Sequence, residues 1–330
     1  MAHRISFVGL DNCFASNIVG IVDLLHSANL IGARRDPPLD PIFEWQVLSV
    51  DGQPVRASNG YTLAVDGALD SAPDGKVVII PALSISQPER LSDTLDSHRQ
   101  LVPWLKAQHQ AGTIIASVCS GSFLLAESGL LDQQQATTTW WLAPLFEKRF
   151  PKVVLDSGSM LTDGGRVICC GTGMSHVDLG LHLIEKYATR ELARLCAKYV
   201  VLDSRRRSQA PYTILNHLRT YDPLIIKAEK WIKANLRKNM SIEEIADHVA
   251  VSQRTLARRF RDSTGGSPQL FVQKVRIETS KALLENTSLR IDEIVDRIGY
   301  SDDSAFRRLF KKHTNLSPRE YRSRFGANAP

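Results

Sequence analysis

Two stretches near the C-terminus restrict this chain more than any other feature. Ser252-Gln-Arg-Thr-Leu-Ala-Arg-Arg-Phe260 is echoed by Ser301-Asp-Asp-Ser-Ala-Phe-Arg-Arg-Leu-Phe310. Each reads as a short helix with a small polar N-cap, an apolar side and an arginine side. The echo extends outward. Ile242-Glu-Glu-Ile245 matches Ile291-Asp-Glu-Ile294, and Ser252 matches Ser301, both 49 residues on. Phe260 matches Phe310 and Pro268 matches Pro318, both 50 residues on. An insertion of one residue within the second basic helix accounts for the shift. The repeated unit is a helix–turn–helix, and a long helix near 269–285 bridges the two copies. A helix that is half core and half basic, behind a short amphipathic helix and a tight turn, suits the major groove of DNA. Two of them in one chain suit successive major-groove segments on one face, roughly 34 Å apart.

Helical spacing assigns the faces. Leu256, Phe260, Phe306 and Phe310 must point to the core. Gln253, Arg254, Ala257, Arg258 and Arg261 then face outward in the first helix, and Asp303, Ser304, Arg307 and Arg308 in the second. Arginine pairs with guanine and glutamine with adenine, but arginine equally serves phosphate or solvent. Asp302 and Asp303 have two readings: they favour a helix N-terminus, or they accept from a cytosine amine. Charge supports a polyanion partner for this region. Residues 223–330 carry 21 Lys+Arg against 13 Asp+Glu, whereas residues 1–222 carry 20 against 22. Three helix starts are also legible: Ser241 with Glu244 as a capping box, Ser267-Pro268, and Ser317-Pro318 with Glu320.

Residues 1–202 alternate strand and helix. Lys76–Pro81 and Gly112–Val118 are continuous apolar runs, the signature of strands buried on both faces. Ile5–Gly9 and Phe43–Val50 are further strands, and short strands are expected at Pro151–Leu155, Ser159–Thr162 and Arg166–Cys169. Helices are expected at Ile18–Leu30, Leu91–Gln110, Gly121–Ser128, Gly173–Tyr187 and Glu191–Leu202. The fold class is therefore α/β, a flavodoxin-like doubly wound and mostly parallel sheet, followed by an all-α domain with two helix-turn-helix units. The expected boundaries are 1–202 for the first domain, 203–222 for a linker and 223–330 for the second domain. The linker contains Arg205-Arg-Arg207, which reads as solvated chain or as a phosphate contact. No run approaches 18 apolar residues and the N-terminus lacks a signal-peptide core, so no membrane partner is expected. Five cysteines without metal spacing fit a reduced cytoplasmic setting, with no metal and no cofactor.

The C-terminal region resembles the AraC/XylS-type DNA-binding domain. The resemblance is carried by Ile245-Ala246, Ser252…Leu256…Phe260, Gly266-Ser-Pro268, Arg276, Ala282-Leu-Leu284, Ile294…Gly299-Tyr300, Phe306…Phe310 and Ser317-Pro…Tyr321-Arg322. It implies a sequence-specific transcription regulator, usually an activator, acting on promoter or operator DNA and with RNA polymerase as a further partner. Asn315 stands where the family usually has glycine, and asparagine tolerates the same left-handed geometry.

Thr113-Ile-Ile-Ala-Ser-Val-Cys119-Ser-Gly-Ser-Phe-Leu-Leu reads as a strand, a sharp turn and a helix, with Cys119 at the turn. This is nucleophile-elbow geometry, and a helix N-terminus lowers a thiol's pKa. The stretch resembles the PfpI-type, amidotransferase-like domain, and the whole chain resembles GlxA-type regulators, which fuse that domain to an AraC-type one. The carrying segments are Val118–Leu131, Ala136–Trp140 and Asp178–Leu183. Against the catalytic relatives, Ser120 replaces the histidine after the nucleophile and Asn17 the glutamate that meets it. Ala82-Leu83 replaces the glycine pair of the oxyanion loop, and Thr139 a histidine often kept before the tryptophan. The resemblance thus implies a disarmed pocket that senses a small molecule, often an amino acid or quaternary amine in such fusions. The candidate lining is Asn17, Ser84, Cys119, Ser120, Thr139 and Trp140. Other readings stand beside this one: Trp140 and Trp141 as core, Cys119 as a vestigial turn, and His176 and His182 as packing or surface groups. The function expected is a one-component regulator, dimeric and ligand-controlled. The alternatives are a cysteine amidase with a targeting domain and a redox sensor at Cys119.

Overall fold

The computed structural model describes residues 2–71, 75–85, 90–202, 206, 208–214, 222–238, 240–264 and 266–327. The chain divides into two compact units, Met1–Gln209 and Ala210–Pro330.

Strands of the first unit are β1 (His3–Val8), β2 (Phe43–Ser49), β3 (Val55–Arg56), β4 (Thr62–Leu63), β5 (Gly67–Ala68), β6 (Val77–Ile80), β7 (Ile114–Val118), β8 (Gln135–Ala136), β9 (Val154–Leu155), β10 (Leu161–Asp163) and β11 (Val167–Cys170). Among the described residues, seven of them form one sheet in the order β10-β11-β7-β6-β1-β2-β5. Every pairing in it is parallel except β10 with β11. The main run β2-β1-β6-β7-β11 is the flavodoxin-like order, and its switch point lies between β1 and β6. In open sheets of this kind the crevice beyond such a switch point is the usual place for a ligand. Val77, Val78, Ile79 and Ile80 of β6 are all buried, as a strand covered on both faces requires.

The helices of this unit are α1 (Ala15–Ala33), α2 (Leu91–Ser97), α3 (Leu101–Gln110), α4 (Gly121–Glu127), α5 (Ala143–Arg149), α6 (His176–Tyr187) and α7 (Arg190–Tyr199). Helices α1, α6 and α7 pack on one another, while α3 and α4 pack together and against β7. The single helix expected over 91–110 is two helices, broken at His98–Gln100. Pro103 explains the break. It has no N–H and cannot sit inside a helix, but as the third residue of α3 it occupies the first turn, where no intrahelical donor is needed.

The second unit is helical: α8 (Pro223–Ala234), α9 (Ile242–His248), α10 (Gln253–Thr264), α11 (Pro268–Asn286), α12 (Ile291–Arg297), α13 (Asp303–Thr314) and α14 (Pro318–Phe325). The expected caps form. The Ser241 and Ser317 hydroxyls accept from the amides of Glu244 and Glu320 at 3.1 and 3.2 Å, and the two glutamates accept back at 2.7 Å. Ser267 accepts from Leu270 at 3.2 Å. Asn315 ends α13 with φ 55°, the left-handed geometry expected of it.

Two separate cores fill this unit. One gathers Ile232, Ile245, Leu256 and Phe260, the other Ile294, Phe306, Phe310 and Tyr321. Helix α11 serves both, with Phe271 and Val275 in the first and Ile277 and Leu284 in the second. Between them, Arg276 donates to the Lys238 carbonyl at 3.0 Å and lies over the Tyr300 ring at 5.1 Å.

The one-residue insertion lies in the turn and cap of the second copy, and not within its helix as expected. Ser252 accepts from Thr255 at the start of α10, whereas Asp302, one residue beyond Ser301, caps α13. An insertion inside the helix would rotate all later residues by about 100° and carry Phe310 off the core. The turns before these helices pass through left-handed backbone at Ala250 (φ 60°) and Gly299 (φ 76°). At Gly299 a Cβ would stand 2.1 Å from the Leu236 carbonyl oxygen.

The expected linker 203–222 is largely tied down at the positions described. Ser208 and Gln209 are bonded within the first unit, and Ala210–Tyr212 forms a 3-10 turn in the second. Asp222 caps α8. Of the three arginines, Arg206 pairs with Asp178 at 3.0 Å, and Arg205 and Arg207 lie outside the described residues.

Gly299→Ala is expected to destabilise the second unit by about 3 kcal/mol or more, since backbone must move to admit the methyl. Ala250→Gly, at the matching left-handed position, is expected to leave the melting temperature unchanged or raise it. Thermal denaturation of the two variants beside the parent chain checks both.

Candidate ligand site and nucleic-acid interface

Five loops meet at the C-terminal ends of β1, β6, β7 and β11: residues 9–14, 81–85, 119–120, 137–141 and 171–175. Phe14 N donates to Ala82 O at 2.8 Å and Ser84 N to Asn12 O at 2.9 Å, which joins the first two. Cys119 N donates to Cys170 O at 2.8 Å and carries the turn after β7 beside the end of β11.

Two oxyanion-type donors of this site, the amides of Ala82 and Leu83, are occupied from within the chain. Asn17 Oδ1 accepts from Ala82 N at 2.9 Å. Ser120 Oγ accepts from Leu83 N at 2.8 Å and donates to Leu83 O at 2.7 Å. Asn17 Nδ2 donates to the Gly173 carbonyl at 2.8 Å, so both ends of its amide are engaged. His176 Nδ1 also reaches that carbonyl at 2.8 Å, and burial pushes its pKa down, so the ring is held neutral in the packing below α6.

Cys119 sits at φ 54°, the strained turn expected of an elbow. Its thiol is only 7 % exposed, and burial pushes its pKa up to about 11, against partial compensation from Ser120, Thr139 and Gly173. The expectation of a lowered pKa is thus reversed. Burial outweighs the short helix α4, because desolvation penalises the thiolate more than a helix end favours it.

The structure brings Asn17, Cys119, Ser120 and Thr139 together, but all four are buried. Asn17 and Ser120 are spent on the backbone. Ser84 and Trp140 are half-buried and belong to the rim, near the exposed Phe14 and Met174. Trp141 packs against the core. His182 bonds Asp163 at 2.8 Å, away from this end.

One residue of the site escapes a reading by sequence. Gln209 is fully buried behind the 137–141 loop, where its Nε2 donates to Thr138 O at 2.8 Å and its Oε1 accepts from Trp140 N at 3.2 Å. A glutamine in an arginine-rich, unpatterned stretch carries no periodic signal that separates it from solvated chain.

In the second unit the outward residues fall as the spacing requires. Gln253, Arg254, Arg258 and Arg261 are exposed and Ala257 is half-buried on α10. Ser304, Arg307 and Arg308 are exposed and Asp303 is half-buried on α13. The two helices differ in charge state. Among the described residues Arg254, Arg258 and Arg261 form no ion pair, while Arg259 is bound to Asp222 at 2.7 Å and holds that carboxyl below its usual range. On α13, Arg307 pairs with Asp303 at 2.7 Å and Arg308 lies 3.9 Å from Asp302. Asp302 also accepts from Ser304 N at 2.8 Å as the N-cap, so the structure supports the helix-terminus reading of that residue.

Comparison with known proteins agrees with both halves. Residues 42–186 match the DJ-1/PfpI family and residues 245–324 a helix-turn-helix domain family. The HTH-type transcriptional regulator GbdR of Pseudomonas aeruginosa is 29% identical over 96% of this chain and 83% of its own. The HTH-type transcriptional regulator ArgR of the same species is 30% identical over 66% of this chain and 67% of its own. A crystal structure described as a putative transcriptional regulator from Vibrio parahaemolyticus superposes with a TM-score of 0.52 at 22% identity, over 61% of this chain and all of that one, and shows the fold of the first unit.

Two measurements test these sites. Alkylation of Cys119 in the folded chain at pH 8 is expected to run slower than that of a free cysteine by a factor on the order of a few hundred. Because folding raises the pKa, the thiol's contribution to stability is complete below about pH 8.5 and is lost as the pH climbs toward 11. Arg258→Ala is expected to weaken binding to a selected duplex by about 1–3 kcal/mol. Arg259→Ala should instead lower stability through Asp222, and Asp303→Ala should raise affinity for random DNA by freeing Arg307. Titrations by fluorescence anisotropy separate the three. The chain belongs to the HTH-type transcriptional regulators that join a DJ-1/PfpI domain to an AraC-type helix-turn-helix domain.

Proposed function

We propose that this chain is a one-component, sequence-specific regulator in which a small molecule at the Cys119 end of the first unit controls how the second unit holds promoter DNA. The carrying observation is the occupied amide pair: Ala82 N and Leu83 N are bonded to Asn17 Oδ1 and Ser120 Oγ. Acyl transfer needs such donors free to meet a developing oxyanion, and it needs a thiolate with a base beside it. Here the donors are taken and the thiol is neutral at physiological pH. The site keeps polar backbone groups and the half-buried Ser84 and Trp140 at the switch-point end of the sheet, where ligands of such folds bind.

In this reading residues 1–202 form the sensing and dimerisation domain and residues 223–330 the DNA-binding domain. The protein acts in the cytoplasm as a homodimer and as an activator, in contact with RNA polymerase. A dimer brings four recognition helices to a repeated operator and steepens the salt dependence of binding. The buried, protonated Cys119 speaks against both the amidase and the redox-sensor readings, since each needs an accessible thiolate.

A thermal-shift screen of amino acids, betaines and related amines on the full chain tests the proposal. A true effector at a hundred times its Kd is expected to stabilise the fold by about 2.7 kcal/mol. Trp140→Ala should abolish that shift, and Cys119→Ala should keep ligand-dependent promoter control. Loss of control in Cys119→Ala with the shift intact would return the site to chemistry.

A further inference from the structure

We propose that Gln209 is a positioning residue through which the loop of the ligand site holds the segment that enters the DNA-binding unit. The inference rests on the regulatory reading above and adds its route. Gln209 Nε2 donates to Thr138 O at 2.8 Å and lies 3.2 Å from both Thr137 Oγ1 and Ser159 O, while Oε1 accepts from Trp140 N at 3.2 Å. Its backbone N donates to Gly158 O at 2.9 Å. The side chain lies so close over Gly171 that a Cβ there would stand 2.5 Å from Nε2. The neighbouring Thr138 Oγ1 donates to Cys119 O at 3.2 Å and accepts from Ser122 Oγ at 2.8 Å, so this loop is continuous with the elbow.

Two residues, Ala210 and Pro211, separate Gln209 from a second anchor at Tyr212 and Thr213. Within the second unit the Lys281 ammonium donates to Thr213 O, and Arg324 donates to the Tyr212 hydroxyl at 2.8 Å. The Tyr212 ring meets Phe325 edge to face at 5.4 Å, and the turn Ala210–Tyr212 lies against α13. These contacts hold α11, α13 and α14, the half of the DNA-binding unit that carries the second recognition helix.

A side-chain amide with four partners, three of them backbone groups, has no comparable position elsewhere, so it is either seated or released. A ligand that shifts Trp140 removes the acceptor role of Oε1 and unseats Gln209. The peptide chain then passes the change, across two residues, to the anchor on α11 and α14. Coupling of this kind is reciprocal: DNA bound to the second unit must alter the 137–141 loop by the same free energy. The route can therefore be read with DNA alone.

The test uses the full chain and a duplex that it selects from a random library. Hydrogen exchange of residues 136–142 is measured with and without that duplex. In the parent chain the duplex is expected to change exchange there at least five-fold. Gln209→Glu, which keeps the shape and removes the amide donors, is expected to erase the change, and so is Tyr212→Ala, which cuts the second anchor and leaves the first unit's core intact. A bound duplex with no effect on residues 136–142 in the parent chain overturns the proposal, as does a full response in either folded variant. Failure to select any duplex would be the failure of the DNA-binding reading itself, and the relay would fall with it.

Discussion

Two backbone amides just past the end of β6, those of Ala82 and Leu83, have to be hydrogen-bonded because they are buried beyond the end of a central strand where water does not reach them. Asn17 from α1 and Ser120 from the turn after β7 supply the bonds. The same Asn17 reaches Gly173 ahead of α6, so one side chain joins α1 to two loops at the switch point. The bonds that stabilise this end of the fold also engage two amides that acyl transfer would need free. Two amides that could meet an oxyanion, those of Ala82 and Leu83, are already paired, and the Cys119 thiol is buried and protonated.

The second unit solves a different problem. A hundred residues of short helices offer little core to any one half, and α11 answers by lending residues to two cores in succession. With the halves joined this way and Arg276 fastened between them, the polar faces of α10 and α13 are left to the solvent. Their charge is distributed unevenly. Among the described residues Arg254, Arg258 and Arg261 of α10 form no ion pair, while Arg307 and Arg308 of α13 lean on Asp303 and Asp302. In this account α10 supplies the larger share of phosphate attraction, and α13 gives up its own ion pairs when it enters the groove.

Much of this was legible in the chain itself. Four consecutive buried residues in Val77–Ile80 can only be a strand covered on both sides, and the serine caps at 241, 267 and 317 name their helices because few other residues satisfy the first-turn amides. The outward faces of α10 and α13 followed from the spacing of Leu256, Phe260, Phe306 and Phe310. Other features depend on contacts that no local pattern encodes. Pro103 splits a helix whose apolar spacing runs straight through the break. The thiol pKa of Cys119 is set by how deeply the surrounding loops bury it. The seat of Gln209 is built by residues 50 to 72 positions earlier, brought together only by the sheet.

The central claim is that both helix-turn-helix copies read DNA on behalf of a first unit that carries out no reaction. Hydroxyl-radical footprinting of the full chain on the shortest duplex that retains selective binding tests it most directly. Each bound copy is expected to protect two windows on one face, about one helical turn (~10 base pairs) apart, with Arg258→Ala erasing only the window of α10. A single window, or protection spread evenly along the duplex, would contradict the account.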